Sequence, residues 1–448
     1  MAWAYGRARR NDSIYETRLT ASNTRRFRTT LELRQKAISA TASPWTDGAA
    51  SSGATDAELR FQLYNRRRLQ LGYGYPLTVF ATFQSEEATH MCQCARNPIH
   101  CIIPPYITHE LLKSADPLVR SRAIAQLRSA ARMRAFRVAA QAMPRLMAVM
   151  APNKKKNRLV YTMKGQSPDL LPGKLQRSEG QPKHSDVAIN EAYDYAGDTY
   201  DFYDSVFQRN SLDDNGMSLI SSVHLAEEDD QGNFVPMNNA FWNGEQMAYG
   251  DGDDQIFQRF TGALEVVGHE LTHGVQSFTS NLTYYGESGA LNEHFADVFG
   301  VLVRQWKNDE PTDKANWVVG AEVMVPAPTR RGIRDMENPG TAYVNDPDLG
   351  TDPQPATYAK RYQGPADNGG VHINSGIANR AFVLTARKIG GNAWDTAGRI
   401  WYKTLQQLSS NSTFQDCATV TVQVAAAEGA AAKRAVKAAW KKVGITVS

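Results

Sequence analysis

The chain has 448 residues, 42% of them hydrophobic, a formal net charge of +4 and four cysteines. That length can bury the cores of two or three domains, and no apolar stretch is long enough to cross a bilayer, so no membrane partner is expected. Cys92, Cys94, Cys101 and Cys417 do not form a disulfide framework, and Cys92 and Cys94 lack the two-residue gap of a structural zinc knuckle.

The charge is unevenly spread. Residues 1–160 carry 26 Lys+Arg against 10 Asp+Glu, a net of +16, which leaves 24 against 36 for the remainder, a net of −12. A basic front is thus joined to an acidic body. It reads either as a disordered arm or as a segment that docks on the body and is later removed. The Arg-rich front shows no interleaved stacking aromatics, so no nucleic acid is expected as a partner. No apolar run of signal-peptide length follows the first residues, which favours a cytoplasmic pool with nonclassical release, secretion being the alternative.

In chain order, residues 1–90 are rich in Arg, Ser and Thr and read as a flexible extension. Residues 91–156 form a second basic segment. It contains CIIPPYITHELLK at 101–113, where Pro104 and Pro105 impose an extended stretch, and an Arg-rich helix at 116–138. The run APNKKKNRLVY at 151–161 reads as an exposed linker and a natural place for a cut. From about 157 the character changes. Segments 187–209 and 253–279 read as helices, 217–250 as strands and loops, and the Ala-rich tract from 413 as helix. The expected fold class is α+β.

The run TGALEVVGHELTHGVQSF at 261–278 carries the chemistry. His269 and His273 are four apart, so both imidazoles leave one helix face and can meet one tetrahedral zinc. Glu270, next to the first histidine, is placed to hold a zinc-bound water and take its proton. The third ligand is sought in ESGALNEHFADVFG at 287–300, where Glu293 and Asp297 share a face among apolar residues. Glu293 is assigned as ligand and Asp297 as acceptor of a histidine ring N–H, with His294 as a competitor for the ligand role. In ADNGGVHINSGIANRAF at 366–382, an Asp367–His372 pair in a loop could present an imidazolium to an oxyanion, or be structural.

These stretches, with NNAFWNGEQMAYGDGD at 238–253, YYGESGALNEHFADVFG at 284–300 and the arginine of GIRDMENP at 332–339, resemble the thermolysin family of zinc metallopeptidases over about 157–448. The resemblance implies a two-lobed fold with the zinc helix at the floor of the cleft. It implies zinc held by His269, His273 and Glu293, Glu270 as general base, and Asp297 as partner of His269. It further implies His372, oriented by Asp367, and Tyr284 as oxyanion donors, Asn239 and Ala240 on the substrate main chain, and Arg334 on the carbonyl of the leaving-group side. The implied activity is that of a monomeric endopeptidase cutting protein and peptide substrates on the amino side of bulky hydrophobic residues. The front resembles the short propeptide of the protealysin-type branch, which implies an autoprocessed precursor with its own N-terminal region as intramolecular inhibitor. Cys94 and Cys101 add the option of a thiolate capping the zinc.

Family members often carry a double calcium site beside the zinc helix. Here Glu265 could supply one ligand, but the later positions fall on Arg304, Asn316 and Ala321, with Val318 nearby. A guanidinium repels a cation, so the double site is expected to be absent or reduced, with Arg304 pairing to Glu265 instead. Other calcium sites in 190–215 or 340–355 remain open, since both are rich in Asp and Asn.

Overall fold

A computed structural model describes residues 100–141 and 155–448. The extension at 1–90, Cys92, Cys94 and the first residues of the linker lie outside the described residues.

The front segment forms strand β1 (His100–Cys101), helix α1 (Pro105–Leu111) and helix α2 (Pro117–Gln141). The extended stretch expected through both prolines ends at Pro104, whose backbone is extended (φ −65°, ψ 147°), while Pro105 opens α1. The first helical position has no use for an N–H, and the fixed proline φ suits it. Ile102, Ile103, Ile107, Leu111, Val119 and Ala123 are buried against the body. Polar contacts add to this: Gln126 donates to the Asn238 carbonyl (3.1 Å), Arg122 to that of Asp253 (3.1 Å) and Arg128 to that of Asp229 (3.3 Å). The basic segment therefore docks on acidic turns of the body, as the charge division suggests.

The body opens with a sheet built from β2 (Arg158–Gln166), β3 (Lys174–Ser178), β4 (Leu219–Glu228), β5 (Phe234–Pro236), β6 (Ala240–Trp242) and β7 (Met247–Gly250), with helix α3 (Val187–Phe207) between β3 and β4. Its order is β1-β6-β7-β4-β2-β3, with β5 paired to β4. The linker reading through Tyr161 needs correction. Arg158–Tyr161 pair with β4 in parallel register, Arg158 binds Glu179 through two nitrogens, and its guanidinium stacks on Tyr193 at 3.7 Å. Val160 and Thr162 are buried, so the alternating apolar residues after the basic run belong to the sheet.

Helix α4 (Leu264–Ser277) starts eleven residues later than the sequence suggests. Asp253 Oδ1 accepts the N–H groups of Gln255, Ile256 and Phe257, which holds that stretch in a turn instead of a helix. Helix α5 (Gly286–Asn308) packs on α4 and is buried without interruption from Ser288 to Gln305. At Gly300 an added Cβ would lie 2.4 Å from the Glu265 carbonyl oxygen and 2.8 Å from the His269 nitrogen. Only glycine permits this crossing, which brings Glu293 and Asp297 up to the two histidines.

After the short pair β8 (Val318–Val319) and β9 (Arg334–Asp335), the helices α6 (Ala366–Ile389), α7 (Thr396–Leu405), α8 (Phe414–Ala427) and α9 (Ala430–Lys442) complete the second lobe. His372 was expected in a loop but lies on α6. Asp367, Asn368, Gly369 and Gly370 all have positive φ, and this left-handed run turns the chain so that the regular helix begins immediately before His372. No helix among the described residues is long and apolar enough to cross a membrane.

Candidate active site

His269 and His273 project from α4 with their Nε2 atoms 3.1 Å apart. The Nδ1 of His269 faces Asp297 Oδ1 (2.9 Å), and that of His273 faces Asn292 Oδ1 (2.8 Å). Asn292 spends its amide N–H on the Leu282 carbonyl, so its oxygen is the acceptor towards the histidine. Both rings must therefore carry their proton on Nδ1. Two imidazole lone pairs then point at one another in a fully buried site. Glu293 adds Oε2 at 3.6 Å from His269 and Oε1 at 3.6 Å from His273, and its Oε2 has no hydrogen-bond partner. Facing lone pairs and a bare carboxylate oxygen are compatible only with a shared cation. Among the described residues this is the only group of His, Cys, Asp or Glu that could hold a metal ion.

The surrounding groups fix these donors. Arg334, fully buried, donates to Asp297 through Nε (2.9 Å) and Nη2 (2.7 Å), and Asn379 donates to Asp297 Oδ2 (2.9 Å). Burial would raise the Asp297 pKa, but Arg334 and His269 outweigh it and hold the carboxyl well below its usual range. Asp297 thus stays charged and keeps the His269 tautomer.

Glu270 is buried beside the metal group. Its Oε2 accepts the Trp242 N–H (2.9 Å), and its Oε1 has no hydrogen-bond partner. Burial and then the Glu293 charge push its pKa well above the ordinary value, with the Trp242 and Ile102 N–H groups working against the shift. A carboxylate so raised is a stronger base than one in water.

Across the cleft, His372 Nδ1 donates to Asp367 Oδ1 (2.6 Å). Burial opposes its charged form, yet Glu293 and Asp367 outweigh burial and lift its pKa to about 9. Its Nε2 lies 3.1 Å from the Tyr284 hydroxyl, which donates in turn to Glu293 Oε1.

The front segment lies through this site. Cys101 pairs with Phe241 in an antiparallel bridge between β1 and the edge strand β6. His372 Nε2 lies 3.2 Å from the Cys101 carbonyl oxygen, and Arg334 Nη1 donates to that of Ile102 (3.1 Å). The Ile102 N–H donates to the Ala240 carbonyl (3.2 Å) and the Ile103 N–H to Asn239 Oδ1 (3.1 Å). All eleven site residues singled out from the sequence therefore converge on one cleft. The option of a Cys101 thiolate on the metal is corrected: the thiol donates to the Ile103 carbonyl (3.6 Å), and it is the backbone carbonyl that faces His372. The competing ligand His294 is also placed elsewhere. Its Nδ1 faces Asn379 Oδ1 (2.8 Å), its Nε2 accepts the Trp401 indole N–H (2.7 Å), and burial lowers its pKa to about 4.

Sequence reasoning missed Asn292, Asn379 and the Trp242 amide. Asn292 adjoins Glu293 in the quoted motif and could have been proposed as a histidine partner. Asn379 is separated from Asp297 by 82 positions, and a backbone N–H leaves no mark in a sequence.

At the second calcium-related position, Arg304 Nη1 lies 3.2 Å from Glu265 Oε2 and also donates to the Val318 carbonyl, while Nη2 donates to that of Asn316. The acids of 340–355 are taken up by the chain itself. Asp346 binds Arg330 through both oxygens, and Asp352 accepts the N–H groups of Gly340, Ala342 and Gln354.

A fold of this kind, with two histidines, a glutamate and a buried adjacent base, defines a metallopeptidase. The thermolysin metallopeptidase catalytic domain matches residues 149–277, and the alpha-helical domain of the same family matches residues 280–445. An extracellular metalloprotease of Pectobacterium carotovorum subsp. carotovorum is 43% identical over 353 residues, covering 78% of this chain and 97% of the relative. Protease PrtS of Photorhabdus sp. (strain Az29) is 47% identical, covering 65% and 77%. The solved precursor of protealysin, a metalloproteinase from Serratia proteamaculans, is 41% identical with a TM-score of 0.68, covering 78% of this chain and 100% of its own. The chain belongs to the thermolysin family of zinc metallopeptidases. Within it the chain is similar to the precursor of protealysin.

Proposed function

We propose that this protein is a latent endopeptidase in which His269, His273 and Glu293 hold zinc and Glu270 is the general base. The donor set supports this, because its facing lone pairs call for a cation. Zinc, when bound, supplies Lewis acidity towards a peptide carbonyl and a water molecule. The Oε1 of Glu270 takes the proton of that water and can deliver it to the departing amine. His372, charged at neutral pH and oriented by Asp367, donates to the carbonyl oxygen of the bond being cut, with Tyr284 as second donor. Asn239 and the Ala240 carbonyl align the substrate as an added strand, and Arg334 holds the carbonyl one residue further on. The prosegment contacts support each of these placements, since its backbone already meets the same groups.

The specificity follows from Ile102. Its side chain is buried in the main apolar core, immediately after the carbonyl that meets His372. We infer cleavage before bulky hydrophobic residues. Residues 91–156 act as the inhibitory prosegment, 157–275 and 276–448 as the two catalytic lobes, and the maturing cut falls in the linker ahead of Arg158, which the sheet holds. The position of Glu265 takes no calcium. In place of the cytoplasmic pool expected from the sequence, we place this protein outside the cell, because the Pectobacterium relative is an extracellular metalloprotease.

A peptide library tests the reading. The processed enzyme is expected to cut before Ile, Leu and Phe, to lose turnover on zinc removal and to recover it with one equivalent of zinc. Turnover that survives complete metal removal would refute the proposal.

A further inference from the structure

The prosegment does more than cover the cleft. Four consecutive main-chain groups, from the Cys101 carbonyl to the Ile103 N–H, each meet a different group of the site: His372, Ala240, Arg334 and Asn239. The strand runs antiparallel to β6 in one unbroken register. Among its described peptide bonds, only Cys101–Ile102 has its carbonyl facing His372 and its N–H on the Ala240 carbonyl. The Ile102 side chain is fully buried, as expected of the residue that follows a cut bond.

We propose that the Cys101–Ile102 bond is a cleavage site of this chain's own catalytic centre, hydrolysed inside the precursor while the prosegment is still docked. The inference rests on the peptidase reading above. Water adds across the bond, the carbon–nitrogen bond breaks, Cys101 gains a carboxylate and Ile102 leaves as an amine. The proton given up by water passes through Glu270 to that amine. No reactant beyond water is required.

The fold separates the two products. On the carboxyl side of the bond, Pro104 leads directly into α1, and Ile107, Leu111, Val119 and Ala123 keep α1 and α2 buried on the body. Residues 102–141 therefore stay in place after the cut and continue to block the cleft. On the amino side, residues 1–101 lose their covalent link. Maturation thus takes two cuts: the first detaches residues 1–101, and the second, in the linker ahead of Arg158, detaches the remaining prosegment and brings activity.

The test follows full-length zinc-loaded precursor over time by intact mass and N-terminal sequencing at two concentrations tenfold apart. The expected result is a new N-terminus at Ile102, formed no later than the mature one, with the same rate constant at both concentrations. It is absent in Glu270→Ala. Ile102→Leu retains the cut. Ile102→Asp loses it, while added mature enzyme still processes the linker of that variant, showing that its body is folded. A mature N-terminus appearing with Cys101–Ile102 intact would overturn the inference and leave the peptidase reading standing. So would an Ile102 N-terminus whose rate scales with concentration. Processing that persists in pure Glu270→Ala would instead overturn the peptidase reading itself.

Discussion

Helices α4 and α5 carry two buried acid clusters that solve the same problem in opposite ways. At one, Glu265 meets Arg304 at 3.2 Å and accepts the Gly320 N–H, so the chain supplies its own cation. At the other, Glu293 meets two imidazoles whose outer nitrogens are committed to Asp297 and Asn292, so only their lone pairs face it. Buried charge is costly in both places. Where a guanidinium is at hand the cluster is complete. Where two imidazole lone pairs and the unbonded Oε2 of Glu293 converge, a metal completes the cluster.

The sharpest way to break this contrast is to remove one member of each cluster. His273→Ala is expected to lose stoichiometric zinc and all measurable turnover, read by metal analysis and a peptide assay. Arg304→Ala is expected to keep zinc but to lower unfolding stability by about 3–5 kcal/mol, because it strands a buried carboxylate. Calcium titrated into calcium-free, zinc-loaded protein is expected to leave Tm unchanged, and a clear rise would contradict the metal-free reading of that cluster. Asn292→Ala is expected to weaken zinc affinity by about 10–100-fold, since it frees the His273 tautomer, and competition with a chromogenic chelator would measure it.

The smallest effect concerns a third cluster, in which His224 lies between Asp251 (2.9 Å) and Asp186 (2.8 Å). Asp251, with Asp186, outweighs burial and raises its pKa to about 9. The folded value lies above the unfolded one, so the stabilisation is full below about pH 6.5 and is lost as pH rises through about 9. The site is partly open to solvent, so the term is on the order of 1 kcal/mol. Denaturant melts from pH 6 to 10 should show a shallower decline in His224→Gln than in the parent. Equal slopes would remove His224 from the account.

Much of this was legible in the residues. Four-residue spacing places two ligands on one helix face whatever the fold, and Glu293 with Asp297 repeats that logic on a second helix. The Glu265–Arg304 pair was also readable, because an arginine at a cation site leaves few alternatives. The start of α4 was not readable, because Asp253 captures three backbone N–H groups that periodicity would have given to a helix. The end of the linker was not legible, because the basic run continues through Arg158 while the alternation of buried Val160 and Thr162 already belongs to a strand. Asn379 and the Trp242 amide needed three dimensions. Both join elements far apart in the chain, and neither residue type announces such a role.

The measurement that tests the central claim most directly compares pure Glu270→Ala with the parent, both processed by added mature enzyme that is then removed, for zinc content and peptide turnover together. The account predicts one equivalent of zinc in both, with turnover in the variant reduced by about 10²–10⁴-fold or more, because the metal group is intact and only the base is gone. Full zinc with undiminished turnover would contradict it.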